Sequence, residues 1–163
     1  MKYLELAETK SLPRVASIQN AYNLVNRGFE IGLSEVAMHE QVGLLAYSPL
    51  AQGTLTGKYL GGQMPQGSRL ALFGDGPLMM RYKGDKTQQA IEMYVNLAKK
   101  YEIDPAQLAI QFCNIQPFVT STIIGATTME QLKTCIDSVD LDITKEIMNE
   151  IRGIHKEIPN PAP

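Results

Sequence analysis

The stretch Val42-Gly43-Leu44-Leu45-Ala46-Tyr47-Ser48-Pro49-Leu50-Ala51-Gln52-Gly53-Thr54-Leu55-Thr56-Gly57-Lys58-Tyr59 decides the fold. Its first six residues are almost continuously apolar, a pattern that suits a parallel strand buried on both faces better than an alternating antiparallel one. Ser48-Pro49 ends the strand, because proline cannot donate to a ladder. A loop at the carboxyl end of a parallel strand is where α/β barrels place their active sites. Ala51, Gly53 and Gly57 would let backbone amides approach a phosphate closely, and Lys58 adds a mobile positive charge. The same composition also suits a solvent-exposed glycine-rich turn, and composition alone does not separate the two.

Upstream, residues 1–10 read as the back end of a helix, with Tyr3, Leu4 and Ala7 at helical spacing before Ser11-Leu12-Pro13 stops them. Residues 14–19 form a short β-rich run, and residues 28–41, with Ile31, Val36 and Met38 among polar neighbours, read as a surface helix. Downstream, residues 50–85 hold eight glycines, too many for the interior of a regular element, so this is a long loop of the kind that usually carries function. A helix over about 87–101 has Ile91, Tyr94, Val95 and Ala98 on one face. Asp104-Pro105 opens another, over 105–114, with an N-cap acid and proline at the first helical position, and Leu108, Ala109 and Phe112 are its buried side.

Residues 119–124 are a third strand, which passes through Gly125-Ala126-Thr127-Thr128 into a helix over about 129–138. Thr127 with Glu130, or Thr128 with Gln131, has capping-box spacing. The amino terminus of that helix, with free N–H groups and positive dipole, is a second place for an anion, although capping explains the threonines equally well. The last helix, about 144–156, aligns Ile147, Ile151 and Ile154, and the proline-rich residues 158–163 read as a frayed tail. Strands alternate with helices, so the class is α/β with parallel strands. Neither an internal repeat nor a second domain is visible, and residues 1–163 are read as part of one domain.

A chain of 163 residues, 44% hydrophobic and 20% charged, has the composition of an ordinary globular domain. Fifteen Lys and Arg against seventeen Asp and Glu leave a net charge of -2, which argues against nucleic acid or an anionic membrane as partner. No apolar run reaches the roughly 20 residues of a membrane span and the first residues lack a signal-peptide core, so the expected location is the cytoplasm. Cys113 and Cys135 lack CxxC spacing or a companion histidine cluster, so they are expected to be buried free thiols, and no metal site is expected.

Three motifs in order, Ser17-Ile18-Gln19-Asn20-Ala21-Tyr22-Asn23-Leu24, the Tyr47–Tyr59 segment, and Gly125-Ala126-Thr127-Thr128-Met129-Glu130-Gln131-Leu132, together resemble the aldo-keto reductases. The branch they resemble contains the bacterial Tas-like reductases and the potassium-channel β subunits. The resemblance covers essentially the whole chain and implies the carboxyl-terminal half of a (β/α)8 (TIM) barrel: a partial barrel of about three parallel strands, the family's sixth to eighth, with flanking helices.

The resemblance also implies an extended NADP(H) and assigns roles by match. Gln19 would hydrogen-bond the nicotinamide carboxamide and Tyr47 would lie near or stack on its ring. Ser48, Pro49, Leu50, Ala51 and Gly53 would wrap the pyrophosphate, and Lys58 would approach the phosphates. Arg69 would clamp the 2′-phosphate that distinguishes NADP from NAD, while Gly125, Thr127 and Gln131 would complete the adenosine-phosphate site. Two positions depart from the family pattern: Cys135 stands where an asparagine usually reads the adenine edge, and Thr134 replaces a common glutamate.

In that family hydride passes from nicotinamide to a carbonyl while a tyrosine donates the proton, tuned by Asp, Lys and His. Those residues belong to earlier strands, so no catalytic residue is assigned here. His39 and His155 read as surface or capping residues, and Tyr22 as lining the substrate mouth at most. A complete barrel needs about 250 residues and eight strands; three strands would leave two open edges and an exposed interior face, a surface for the missing amino-terminal half or for self-association. The expected activity is therefore that of the cofactor-binding half of a reductase acting on a small carbonyl substrate, inactive alone. The alternative is a non-enzymatic nucleotide-binding or subunit-docking module.

Overall fold

The computed structural model describes residues 2–74 and 76–163. Its centre is the expected apolar strand, β2 (Gly43–Tyr47), which pairs in parallel with β1 (Ser17–Ala21) on one side and β3 (Val119–Thr122) on the other. The strand order is β1-β2-β3. The register sets Gln19 beside Leu45 and Leu45 beside Ser121, with a shift between Leu44 and Leu45. Because side chains alternate across a strand, Leu44 and Ala46 share one face and Leu45 and Tyr47 the other.

Leu44 and Ala46 are fully buried beneath a helical layer built from α5 (Asp85–Lys100), α6 (Pro105–Asn114) and α8 (Lys145–Glu157), whose Ile91, Val95, Leu108, Phe112 and Ile151 join them in one core. The opposite face of the sheet is open: Gln19 and Ser121 are exposed and Leu45 is only half-buried. Burial on both faces, expected from the apolar run, is therefore not what the described residues show, since they place no layer over this side. The result is an open α/β sheet of three parallel strands with flanking helices, the architecture of a partial barrel.

Other boundaries differ from the sequence reading for identifiable reasons. The first helix, α1 (Lys2–Thr9), is as expected, but β1 begins at Ser17, where its pairing with Gly43 begins; upstream, Arg14 instead sends its guanidinium to the Glu40 carbonyl. The helix expected over 28–41 is two pieces, a 3-10 turn at Gly28–Glu30 and α2 (Leu33–His39), separated where Ile31 and Gly32 donate to the Gly28 and Glu30 carbonyls. Its apolar spacing was misleading, since α2 buries Ser34 and Ala37 while Ile31 is 75% exposed. The loop over 50–85 is not structureless: it contains 3-10 turns at Ala51–Thr56 and Leu60–Gly62 and the short helices α3 (Arg69–Phe73) and α4 (Pro77–Met80).

The expected frayed tail is a correction. Ile158 and Ala162 are buried, the Ala162 amide donates to the Val25 carbonyl at 3.1 Å, Asn160 Oδ1 accepts from the Arg27 amide at 2.7 Å, and Thr87 Oγ1 donates to the Pro161 carbonyl at 2.7 Å. Proline removes donors but leaves carbonyls and side chains free to anchor the segment. Beside this anchor lies a partly buried polar cluster: Arg27 donates to Glu30 through Nε at 2.7 Å and Nη2 at 2.8 Å, the Tyr22 hydroxyl donates to Glu30 at 2.6 Å, and the Arg27 guanidinium stacks over Phe112. Among the described residues no helix is long and apolar enough to cross a membrane.

Candidate functional site

The carboxyl ends of β2 and β3 open onto a cavity of about 670 Å³, within the range of roughly 300–1,000 Å³ usual for small-molecule and cofactor sites. One wall is the turn that follows β2. Ser48, Ala51 and Gln52 there adopt φ of 55°, 49° and 60°, and Gly53 follows at 91°. Left-handed backbone costs an L-residue roughly 1–2 kcal/mol, so three such residues in one turn mark a strained loop that its surroundings must hold. Within the turn the Ser48 carbonyl accepts from the Ala51 amide at 2.9 Å and the Leu50 carbonyl from the Gly53 amide at 2.8 Å. A Cβ at Gly53 would meet Lys58 Cε and Nζ at 3.0 Å, contacts that the lysine end can relieve by a small shift, so it is the φ of 91° that calls for glycine here.

The facing wall is the passage from β3 into α7 (Met129–Asp137). Thr128 caps this helix by accepting from the Gln131 amide at 3.2 Å. The Gln131 side chain turns back, its Oε1 accepting from both the amide and the hydroxyl of Thr127 at 3.1 Å. Thr128 with Gln131 is thus the capping pair, with Gln131 bonding one residue beyond the usual box. The floor of the loop carries Ser68, which caps α3 by accepting from Ala71, then Arg69, Leu72 and Phe73; Phe73 is 73% exposed. Lys58 and Arg69 are the charged residues that line the cavity, and no Asp or Glu among the described residues lines it. Two cations and a helix amino terminus favour an anionic guest, although Glu130 in the first turn of α7, off the cavity wall, offsets part of that helix's pull.

Of the residues singled out from sequence, the cavity gathers Tyr47, Ser48, Pro49, Leu50, Gly53, Lys58, Arg69, Gly125, Thr127 and Gln131 on its walls. Two are not lining residues. Ala51 is fully buried behind the turn. Gln19 lies exposed on the open face of β1, paired with Leu45; Tyr47, 39% exposed, is on that same face two residues further on, about 7 Å along the strand. Sequence reasoning missed Gln52, Thr56, Gln66, Leu72 and Phe73, which also line the cavity; only their place in the glycine-rich loop could have signalled them.

Asn23, within the Ser17–Leu24 motif, is a further residue that local sequence does not mark as part of the site. It is 0% exposed, and its Nδ2 donates to the Ser48 carbonyl at 2.9 Å, tying the end of β1 to the strained turn. Tyr22, expected at most at a substrate mouth, is fully buried, and its phenol is raised far above its ordinary value by burial and by the neighbouring Glu30.

Cys113 is fully buried, its Sγ donating to the Tyr22 and Ala109 carbonyls at 3.4 Å, and burial pushes its thiol up. Cys135 is buried with its thiol likewise raised, first by burial and then by Asp104, and does not line the cavity. Thr134 bonds back to the Glu130 carbonyl at 3.1 Å. His39 is exposed at the end of α2, while His155 is half-buried and is lowered by burial and by Arg27. Among the described residues no group of three or more His, Cys, Asp or Glu is placed to hold a metal.

With this geometry established, comparison with known proteins gives a consistent answer. Residues 1–156 match the Aldo/keto reductase family. The whole chain is 50% identical to "Protein tas" of Escherichia coli (strain K12), of which it covers 46%. It is 36% identical over 162 residues to an "Aldo-keto reductase" of Babesia bovis, covering 95% of this chain and 56% of that protein. It is 35% identical over 120 residues to a "Probable voltage-gated potassium channel subunit beta" of Oryza sativa subsp. japonica, covering 72% of this chain and 37% of that protein. The chain spans about half the length of the curated relatives it matches.

Proposed function

The chain belongs to the aldo/keto reductase family, and from that premise we propose that it forms the NADP(H)-binding portion of a carbonyl-reducing oxidoreductase whose catalytic tetrad lies on polypeptide outside residues 1–163. The observation that carries the reading is the cavity between the ends of β2 and β3, with Lys58, Arg69 and the α7 amino terminus around it and no Asp or Glu among the described residues on its walls. A phosphate-rich dinucleotide fits this donor set, because its charge needs cations and N–H groups and its length needs an open trough.

In this reading Tyr47 presents its ring, at the end of β2, as an apolar surface for the nicotinamide, and Gln19 on the same face offers an amide to the carboxamide. The turn over 48–53 supplies backbone to the pyrophosphate, and Lys58, held across Gly53, balances its charge. Arg69 serves the 2′-phosphate, with its guanidinium fork matched to phosphate oxygens. Gly125, Thr127 and Gln131 close the adenosine end; Gln131 must give up its bonds to Thr127 for the Thr127 amide to reach an anion. Ala51 acts by packing, since it is buried behind the turn. The cofactor would supply hydride transfer between a carbonyl and an alcohol. The open sheet face is where the remaining barrel strands would pack, either as the amino-terminal half or as a second copy.

The reading is tested by titrating the purified chain with NADPH and following cofactor fluorescence and thermal stabilisation. Micromolar binding with no carbonyl reduction by the chain alone, and reduction restored by co-expression with the amino-terminal half of a relative, is the expected result. Absence of binding in both settings, or steady NADPH oxidation by the isolated chain free of host reductases, refutes it.

A further inference from the structure

We propose that Asn23 is a positioning residue of the cavity, fastening the strained turn over 48–53 to the end of β1 and so setting how tightly the cavity holds a nicotinamide dinucleotide; the inference rests on the reading of the cavity given above. The Asn23 side chain is wholly buried, where an unpaired amide would be costly, and its atoms are spoken for. Oδ1 accepts from the Val25 amide at 3.0 Å and the Asn26 amide at 2.9 Å. Those two donors determine which end of the amide is oxygen, so the group facing Ser48 is the donor Nδ2, at 2.9 Å from the Ser48 carbonyl. The Asn23 backbone is itself pinned, exchanging bonds with Asn26 at 3.0 and 3.1 Å.

The Ser48 carbonyl is the hinge of the strained segment. It also accepts from the Ala51 amide at 2.9 Å, and both Ser48 and Ala51 have left-handed φ, a conformation that persists only where the surroundings over-determine it. Beside it the Tyr22 amide donates to the Tyr47 carbonyl at 3.3 Å. The end of β1 therefore grips the exit of β2 through one main-chain bond and one side-chain bond, and the second can be removed by substitution. Asn23 does not line the cavity, whereas Ser48 and Gly53 do.

Asn23→Asp keeps an oxygen for Val25 and Asn26 but sets another against the Ser48 carbonyl where the donor was. The 163-residue chain and this variant are compared by NADP+ calorimetry and amide hydrogen exchange from mildly acid to mildly alkaline pH. Loss of one buried hydrogen bond predicts affinity lower by about tenfold at alkaline pH, with faster exchange at Ala51 and Gly53 and unchanged exchange in α5 and α6. The deficit closes in acid, because the protonated carboxyl regains a donor. The titratable group facing this amide is Tyr82, whose phenol burial raises against the lowering pull of the neighbouring Arg81 and of the Asn23 amide itself; it stays protonated across the range, and the Arg81 guanidinium keeps its charge throughout.

Unchanged affinity with unchanged exchange overturns the inference. So does exchange rising uniformly along the chain with the same affinity loss at every pH, which would make Asn23 a general folding residue. A parent chain that binds no NADP+ counts against the reading of the cavity, while exchange at Ala51 and Gly53 still decides whether Asn23 holds the turn.

Discussion

Replacing Gly43 by alanine puts a Cβ where the structure has no room for one. At the start of β2 that atom would lie 1.6 Å from Thr120 Oγ1 and 2.9 Å from Thr120 Cβ on the neighbouring strand. Rotating the threonine moves the hydroxyl but not its Cβ, and carbon contacts normally sit at about 3.5–4.0 Å, so β2 and β3 must separate locally. Overpacking of this kind costs roughly 1–3 kcal/mol. Against it, alanine at a position without positive φ gains about 0.4–1 kcal/mol by restricting the unfolded chain. The net expectation is a loss of about 1–2 kcal/mol, a change of roughly 5–30-fold in the folding equilibrium.

Urea unfolding followed by circular dichroism should show a lower midpoint with unchanged slope. In a Thr120→Gly background both clashing atoms are gone, and there Gly43→Ala should stabilise by about 0.4–1 kcal/mol. The same loss in both backgrounds, within about 0.5 kcal/mol, would refute the close approach as the cause. NADP+ affinity should not change, because Gly43 lies four residues, about 13 Å, from the Tyr47 end of the strand.

Burial alone would raise the Glu30 carboxyl, but the hydrogen bonds from Arg27 and Tyr22 outweigh it and hold it below the usual range. Its contribution is therefore complete above the unfolded value of about 4.3 and is lost as pH falls through the lower folded value. Glu30→Gln should cost about 1–2 kcal/mol at neutral pH, with the gap to the parent narrowing in acid; a gap independent of pH would contradict the ion pair. Arg69→Met should weaken NADP+ by about tenfold and NAD+ much less, measured by calorimetry; equal loss for both would remove Arg69 from the 2′-phosphate. Deleting residues 159–163 removes the anchors on Val25, Arg27 and Thr87 and should lower Tm by roughly 6–12 °C, reckoning about 1 kcal/mol for each lost bond; an unchanged Tm would mean the tail adds nothing.

What the sequence made legible was what neighbours in sequence determine. Asp104 before Pro105 announces α6 because cap and helix are adjacent, and the acid accepts from Ala106 and Gln107 as the pattern requires. Ile147, Ile151 and Ile154 announce α8 because one helical face meets the core. The apolar spacing of residues 28–41 failed because Ile31, Val36 and Met38 point outward; periodicity reports a stripe, and only packing decides whether the stripe is covered. The helices inside 50–85 were hidden by glycines that sit between them.

The same division runs through the cavity. The residues read from the two motifs after β2 and β3 come together on its walls, with Gln19 and Ala51 set aside by strand position and burial. What no local reading supplies is the long-range polar bond: Asn23 finds Ser48 across 25 residues, and Asn160 finds Arg27 across 133. Each looks in sequence like an ordinary turn residue, and Asn23 does accept locally from Val25 and Asn26. Burial is what turns the remaining amide donor of Asn23 from a surface accessory into a constraint, because inside the protein it must find a carbonyl. The carbonyl it finds belongs to the first residue of the strained turn, so the left-handed shape of 48–53 and the burial of Asn23 are two ends of one interaction. Relieving the strain in the turn should therefore lessen its dependence on Asn23: with Ala51→Gly, which removes the Cβ penalty at φ 49°, Asn23→Asp should change exchange at positions 51 and 53 less than it does in the parent chain, and an undiminished effect would separate the two.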